Sequence, residues 1–182
     1  MTLVWQYGSN MDKNRINSPL RLDGKAKCIG LAAKRGWILA FPRRNTEGIG
    51  TSSIIQGDPE DIVIGVIYDV PADAVKRLDQ VEGVNSGAYR KVENFRLEEM
   101  RGSTPVGETQ PVIALTYLAV EQPGHHPTSA EYANHILRGI LSHGMPRDYL
   151  HSVRRTILRN NPSLERDLLD TDDNSTRIQP EI

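Results

Sequence analysis

Six runs rich in β-branched and aromatic residues, each bounded by Gly, Pro or Asn, precede the closing helical segments, and this order constrains the fold more than any other feature. They are TLVWQY (2–7), KCIGLAAKRGWILAF (27–41), TSSIIQG (51–57), IVIGVIYDV (62–70), YRKVENFRLEEM (89–100) and PVIALTYLAV (111–120). Such runs read as strands. One helix interrupts them: VPADAVKRLDQVEG places Pro71 in a first turn, sets Ala74, Leu78 and Val81 on one side and stops at Gly83. A short helix is expected over 11–16. Two more close the chain, one opened by Thr128 and Glu131 in capping-box spacing, the other striped by Leu150, Val153 and Ile157 and stopped by Pro162. Strands first and a helical pair last predict an α+β fold, a curved or closed antiparallel sheet with helices on its outside.

The chain has 182 residues, enough for one domain with a real core. That domain is expected over 1–160. The polar segment 161–182 is expected to pack little or to cross to a partner subunit in a homodimer. Residues 101–110 read as an exposed hairpin tip. Lys and Arg number 22 against 23 Asp and Glu, so a net charge of −1 gives no global attraction to nucleic acid or an anionic membrane. Cys28 is the single cysteine, which excludes an internal disulfide and points to a reducing compartment, with the thiol expected to be buried. Without a basic leader or a long apolar stretch, a cytoplasmic location is expected.

Two stretches could carry chemistry. In QYGSN the first strand stops at Gly8, and the following small polar residues can turn backbone N–H groups inward as a nest for an anion or a developing oxyanion. In LDQVEGVNSGAY, Glu82 ends a helix, where the negative end of the helix dipole and the like charge of Asp79 raise a carboxyl pKa, as does any loss of water. By position alone the simpler readings are ordinary turn chemistry for Gly8–Asn10, a solvated acid for Glu82, and satisfied core residues for Tyr89, Tyr117 and Tyr132. The five histidines lack metal-ligand spacing, so no metal is expected. The short basic clusters Arg43–Arg44 and Arg154–Arg155 read as solvated, the alternative being that Arg43 or Arg44 reaches a substrate carboxylate.

Taken in order, QYGSNM, LDQVEGVNSGAYRKV, a strand tyrosine and a helix opened by PTSAEY resemble the γ-glutamylcyclotransferase family over Leu3 to about Leu158. The resemblance implies a small mixed β-barrel flanked by helices, with a pocket at one barrel mouth. It implies Glu82 as the catalytic glutamate, Tyr7, Gly8, Ser9 and Asn10 as the substrate cradle, and Tyr89, Tyr117 and Tyr132 as pocket hydroxyls. The implied reaction closes a γ-glutamyl amide onto its own α-amine, giving 5-oxoproline and a free amine, with no cofactor. Asn10 differs from the leucine of the glutathione-specific branch. The other reading is a non-catalytic member of the fold that binds a small carboxylate or a partner protein.

Overall fold

The computed structural model describes residues 1–102, 104–105 and 111–170. Along the chain run β1 (Thr2–Gln6), α1 (Lys13–Ile16), β2 (Lys27–Arg35), β3 (Trp37–Arg44), β4 (Gly50–Gln56), β5 (Ile62–Val70) and α2 (Ala72–Val81). After them come β6 (Tyr89–Arg101), the two-residue β7 (Thr104–Pro105), β8 (Val112–Ala119), α3 (Ala130–Ser142) and α4 (Arg147–Asn160). Five strands close on themselves in the order β2-β5-β1-β8-β6, with β6 returning to β2 through Ala32↔Glu99 and Ala33↔Glu98. The register shifts between Cys28 and Gly30 and between Val92 and Phe95 provide the local bends that a small closed sheet requires.

The barrel is mixed rather than purely antiparallel, because β1 pairs in parallel with β8 while every other barrel pair is antiparallel. The run 27–41 is two strands, not one. Gly36 adopts φ +73, a conformation that side-chain-bearing residues avoid, and the chain turns there out of the barrel. Beyond it β3 pairs only with β4, from Trp37↔Gln56 to Arg44↔Gly50, and this hairpin forms a separate wall.

Val4, Trp5, Tyr68 and Leu97 belong to a single core with Ile136, Leu137 and Ile140 of α3 and Val153 and Ile157 of α4. Each such side chain contributes about 1.5–3 kcal/mol by leaving water. Ser129, not Thr128, caps α3, its Oγ accepting from Tyr132 N at 3.2 Å. Cys28 is only partly buried. The packed chain also continues past 160: Leu164 and Leu168 are buried in the core, and Asn134 of α3 bonds the backbone at Asp167 and Leu169. Residues 171–182 and most of the expected hairpin tip at 101–110 lie outside the described residues. Among the described residues, no helix is long and apolar enough to cross a membrane.

Candidate active site

The chain leaves β1 at Gln6 and enters a 3-10 turn, Ser9–Met11, whose three residues are all buried. Asp12 then caps α1, accepting from Asn14 N at 3.0 Å. Two contacts hold this turn. A Cβ on Gly139 of α3 would lie 2.4 Å from Met11 Cβ, so the helix rests directly on the turn. Asp12, 5% exposed, is bound from the same helix by His135 Nδ1 at 2.6 Å and Arg138 Nε at 3.2 Å. Burial alone would raise the Asp12 carboxyl, but hydrogen bonds from His135, Arg138 and the Asn14 N–H outweigh it and hold the group below the ordinary carboxylate range.

Gly8 is glycine for reasons of space, because a Cβ there would lie 2.1 Å from Ser52 Oγ on β4. The turn thus lies directly against the β3–β4 wall. Between them opens a cavity of about 500 Å³ whose lining includes Tyr7, Gly8, Ser9, Asn10, Glu82, Tyr89, Tyr117 and Tyr132. Every candidate site residue read from the sequence therefore borders one space, although Asn10 and Glu82 are 72 positions apart.

Glu82 is carried there by the end of α2. Gly83 takes φ +65, Val84 N bonds Asp79 O at 2.9 Å and Gly83 N bonds Gln80 O at 3.0 Å, the pattern of a Schellman stop. This turns Glu82, the C-cap residue, towards the cavity, where Asn10 Nδ2 donates to its Oε1 at 2.7 Å. The carboxyl is raised above its ordinary value, chiefly because surrounding protein keeps water away, while Arg21, the Asn10 hydrogen bond and Arg15 oppose that rise. Asp79 does not act as expected. Its carboxylate is taken up by Lys91 Nζ at 3.1 Å and the Tyr117 hydroxyl at 2.6 Å, which leaves little unpaired charge to repel Glu82.

The tyrosines differ in what their hydroxyls still have to give. Tyr7 donates to the carbonyl of Tyr117, Tyr89 donates to Ser52 O at 2.9 Å, and Tyr117 donates to Asp79. Burial raises all three pKa values, so these phenols stay protonated. Tyr132 instead accepts from Ser52 N at 3.1 Å and lies 3.0 Å from Ser52 Oγ, so its proton is not committed to a backbone carbonyl.

Among the described residues, four guanidinium groups, from Arg15, Arg21, Arg43 and Arg44, share the wall with a single carboxylate, Glu82. Arg43 is partly spent on structure, donating to the carbonyls of Ala88 and Val120 and lying over the Tyr89 ring. Arg15 and Arg21 escaped the sequence reading. The short apolar pattern of 11–16 says nothing of which side faces a cavity, and Arg21 stands in an irregular segment without a period. Three of the five buried side-chain polar atoms that lack a partner among the described residues belong to this wall: Gln6 Nε2, Asn10 Oδ1 and Arg15 Nε. Buried polar atoms without a partner are rare, and each calls for a reason such as a catalytic role or a water or ion held there. No group of three or more His, Cys, Asp or Glu side chains among the described residues is arranged to hold a metal ion.

The AIG2-like family matches residues 62–153, half of the chain. The chain belongs to the AIG2-like family. That match runs from β5 into α4 and so takes in Glu82, Tyr89, Tyr117 and Tyr132. A mouse (Mus musculus) protein named γ-glutamylcyclotransferase is 28% identical over 159 residues, 84% of this chain and 77% of that protein, a stretch longer than the AIG2-like match. A solved chain named γ-glutamyl cyclotransferase superposes with a TM-score of 0.71 at 25% identity, covering 84% of this chain and 86% of that one. YkqA from Bacillus subtilis shares the fold at a TM-score of 0.67 and 22% identity, over 86% of this chain and 54% of that one. The closed barrel with outer helices is thus the fold of these solved chains.

Proposed function

We propose that this AIG2-like protein is a γ-glutamylcyclotransferase-type enzyme, closing a γ-glutamyl amide to 5-oxoproline and releasing the amine. One observation carries the reading: Glu82, the single carboxylate of the cavity, is raised by burial and tied by Asn10 to the turn that ends β1. The names of the mouse relative and of the superposed solved chain support it.

The substrate holds its own nucleophile. Its α-amine is placed to reach the γ-carbonyl through a five-membered ring, so proximity is built in and the protein has to manage protons and charge. Glu82 takes a proton from the ammonium, for which a raised carboxyl pKa is suited at neutral pH. The freed amine forms the new C–N bond, and the carbonyl electrons move to oxygen. The N–H groups of Gly8 and Ser9, which open the 3-10 turn and have no partner within it, and the Tyr132 hydroxyl, whose neighbour Ser52 Oγ can serve as the donor in their contact, are the donors for that oxyanion or for the glutamyl carboxylate. Protonated Glu82 then gives its proton to the departing nitrogen, the old C–N bond breaks as the oxyanion returns to a carbonyl, and the restored carboxylate takes the second proton from the ring nitrogen and passes it to the released amine, which leaves as ammonium. No metal, nucleotide or covalent intermediate enters the scheme.

The test is direct detection of 5-oxoproline from a panel of γ-glutamyl amino acids, glutathione and γ-glutamyl amines, with wild type beside Glu82→Gln. Release by wild type alone is expected, and the preferred member identifies the leaving amine. Equal release by both proteins removes Glu82 from the mechanism. Ligand-induced stabilisation without turnover of any member makes the protein a binder rather than an enzyme.

A further inference from the structure

Two of the four cavity arginines have no evident structural task. Arg43 is held by two carbonyls, and Arg44 is exposed at the rim. Arg15 and Arg21 stand on the other side, close enough to Glu82 to oppose its rise, and they also line a second depression that includes Val81 and His135. Both arginines thus border both spaces. Neither takes part in a salt bridge among the described residues. Arg15 lies over the Tyr132 ring with its guanidinium carbon 5.5 Å from the centroid, while its Nε is buried without a partner.

Two partly buried cations side by side are costly. Water is withheld from both, each opposes the charge of the other, and the one nearby anion is a carboxyl whose ionisation is itself suppressed. Burial and the neighbouring Arg15 both lower the pKa of Arg21, the direction expected of a cation without its counter-ion. A guanidinium needed only for structure has its donors taken by protein oxygens, as Arg43 does with two carbonyls and as Arg35 does with Glu98 across the barrel seam, with Nε at 3.2 Å from Oε1 and the second contact at 3.4 Å. A planar fork of donors facing a cavity suits a carboxylate delivered by a ligand.

We propose that Arg15 and Arg21 together receive a carboxylate group of the substrate and hold the γ-glutamyl amide in register with Glu82. This rests on the cyclotransferase reading and adds to it a specificity-determining pair. A γ-glutamyl amino acid offers two such groups, the glutamyl α-carboxylate and the carboxylate of the leaving amino acid. The pair selects for whichever reaches it and against the corresponding neutral amide.

The experiment compares wild type, Arg21→Gln, Arg21→Lys and Arg15→Gln on γ-glutamyl-alanine and on two analogues. One carries a carboxamide in place of the glutamyl α-carboxylate, the other in place of the alanine carboxylate. Because Arg21 also restrains the Glu82 pKa, kcat/KM is compared on the plateau of each pH profile. Arg21→Gln and Arg15→Gln are expected to lose about 10- to 100-fold in kcat/KM on γ-glutamyl-alanine, mainly through KM, as for a lost hydrogen bond to a charged group. On one of the two analogues, wild type and variant become alike, and that analogue names the carboxylate received. Arg21→Lys, which keeps the charge but not the fork, is expected to recover part of the loss.

An equal loss on all three substrates, or no loss on any, overturns the proposal. A melting temperature for each variant separates misfolding from lost recognition, and the conservative lysine variant decides if the glutamine variant does not fold. Should wild type turn over nothing, the cyclotransferase reading fails first, and calorimetric titration with glutarate decides this one separately. Binding weakened at least tenfold by Arg21→Gln retains the carboxylate site, whereas equal or absent binding ends it.

Discussion

Asn10 and Asp12 lie two positions apart on the same turn, and each touches one carboxylate story of opposite outcome. Asp12, 5% exposed, meets His135, Arg138 and a backbone N–H, and its pKa falls. Glu82 meets one amide, from Asn10, with arginines acting on it only from further off, and its pKa rises. Both groups lose water, so burial does not distinguish them. What does is whether charged donors touch the oxygens. With direct cationic partners a buried carboxylate becomes a joint of the fold, and without them its pKa rises and it holds a proton more readily.

The comparison is broken most sharply by exchanging each acid for its neutral amide. Glu82→Gln should cost about 100- to 10,000-fold in turnover, the range of general acid–base catalysis, with no loss of stability in a urea titration. Asp12→Asn should do the reverse. Losing a buried, multiply paired carboxylate is expected to lower stability by about 2–3 kcal/mol in the same titration, while turnover per folded molecule changes by less than about tenfold.

A smaller effect should come from Asn10→Ala. The amide it removes stabilises the charged form of Glu82, so the acid limb of the pH–rate profile is expected to move to higher pH and kcat to fall by about tenfold. An unmoved limb would show that the Asn10–Glu82 contact is absent in solution.

The smallest effect lies in the pH dependence of stability. The Asp12 carboxyl titrates lower in the folded chain than in the unfolded one, so its contribution is present above the ordinary carboxylate pKa and is lost as pH falls through the folded value. For Glu82 the sign is opposite: the folded chain holds its proton more tightly, so stability declines as pH rises from the ordinary carboxylate value through the raised one. Thermal melts should therefore find Glu82→Gln more stable than wild type at pH 7, with the difference shrinking towards about pH 4. A difference constant with pH would contradict the raised pKa.

Much of this was legible in the sequence because it rests on local rules. β-branched and aromatic runs between turn residues named the strands, and Gly83 behind an apolar helical stripe named the end of α2 and placed Glu82 on it. Where local rules are equivocal, tertiary contacts decide. Gly36 could have sat inside one long strand, and only its positive φ splits β2 from β3. Thr128 and Ser129 are both competent caps, and the bond from Tyr132 N selects Ser129. Asp79 shares a helix with Glu82, but Lys91 and Tyr117 reach it from the neighbouring strands β6 and β8.

What the sequence by itself determined is therefore most of the elements and the α+β class, since propensity and capping act over a few residues, while Glu82 stands out as a candidate acid only through the family resemblance of LDQVEGVNSGAY. The tertiary structure alone decided the charge of the site. A chain with a net charge of −1 gathers four arginines and one glutamate around a single cavity, from positions 15 to 82. Electrostatic energy depends on distance through space and on withheld water, and neither is written in the order of residues along the chain.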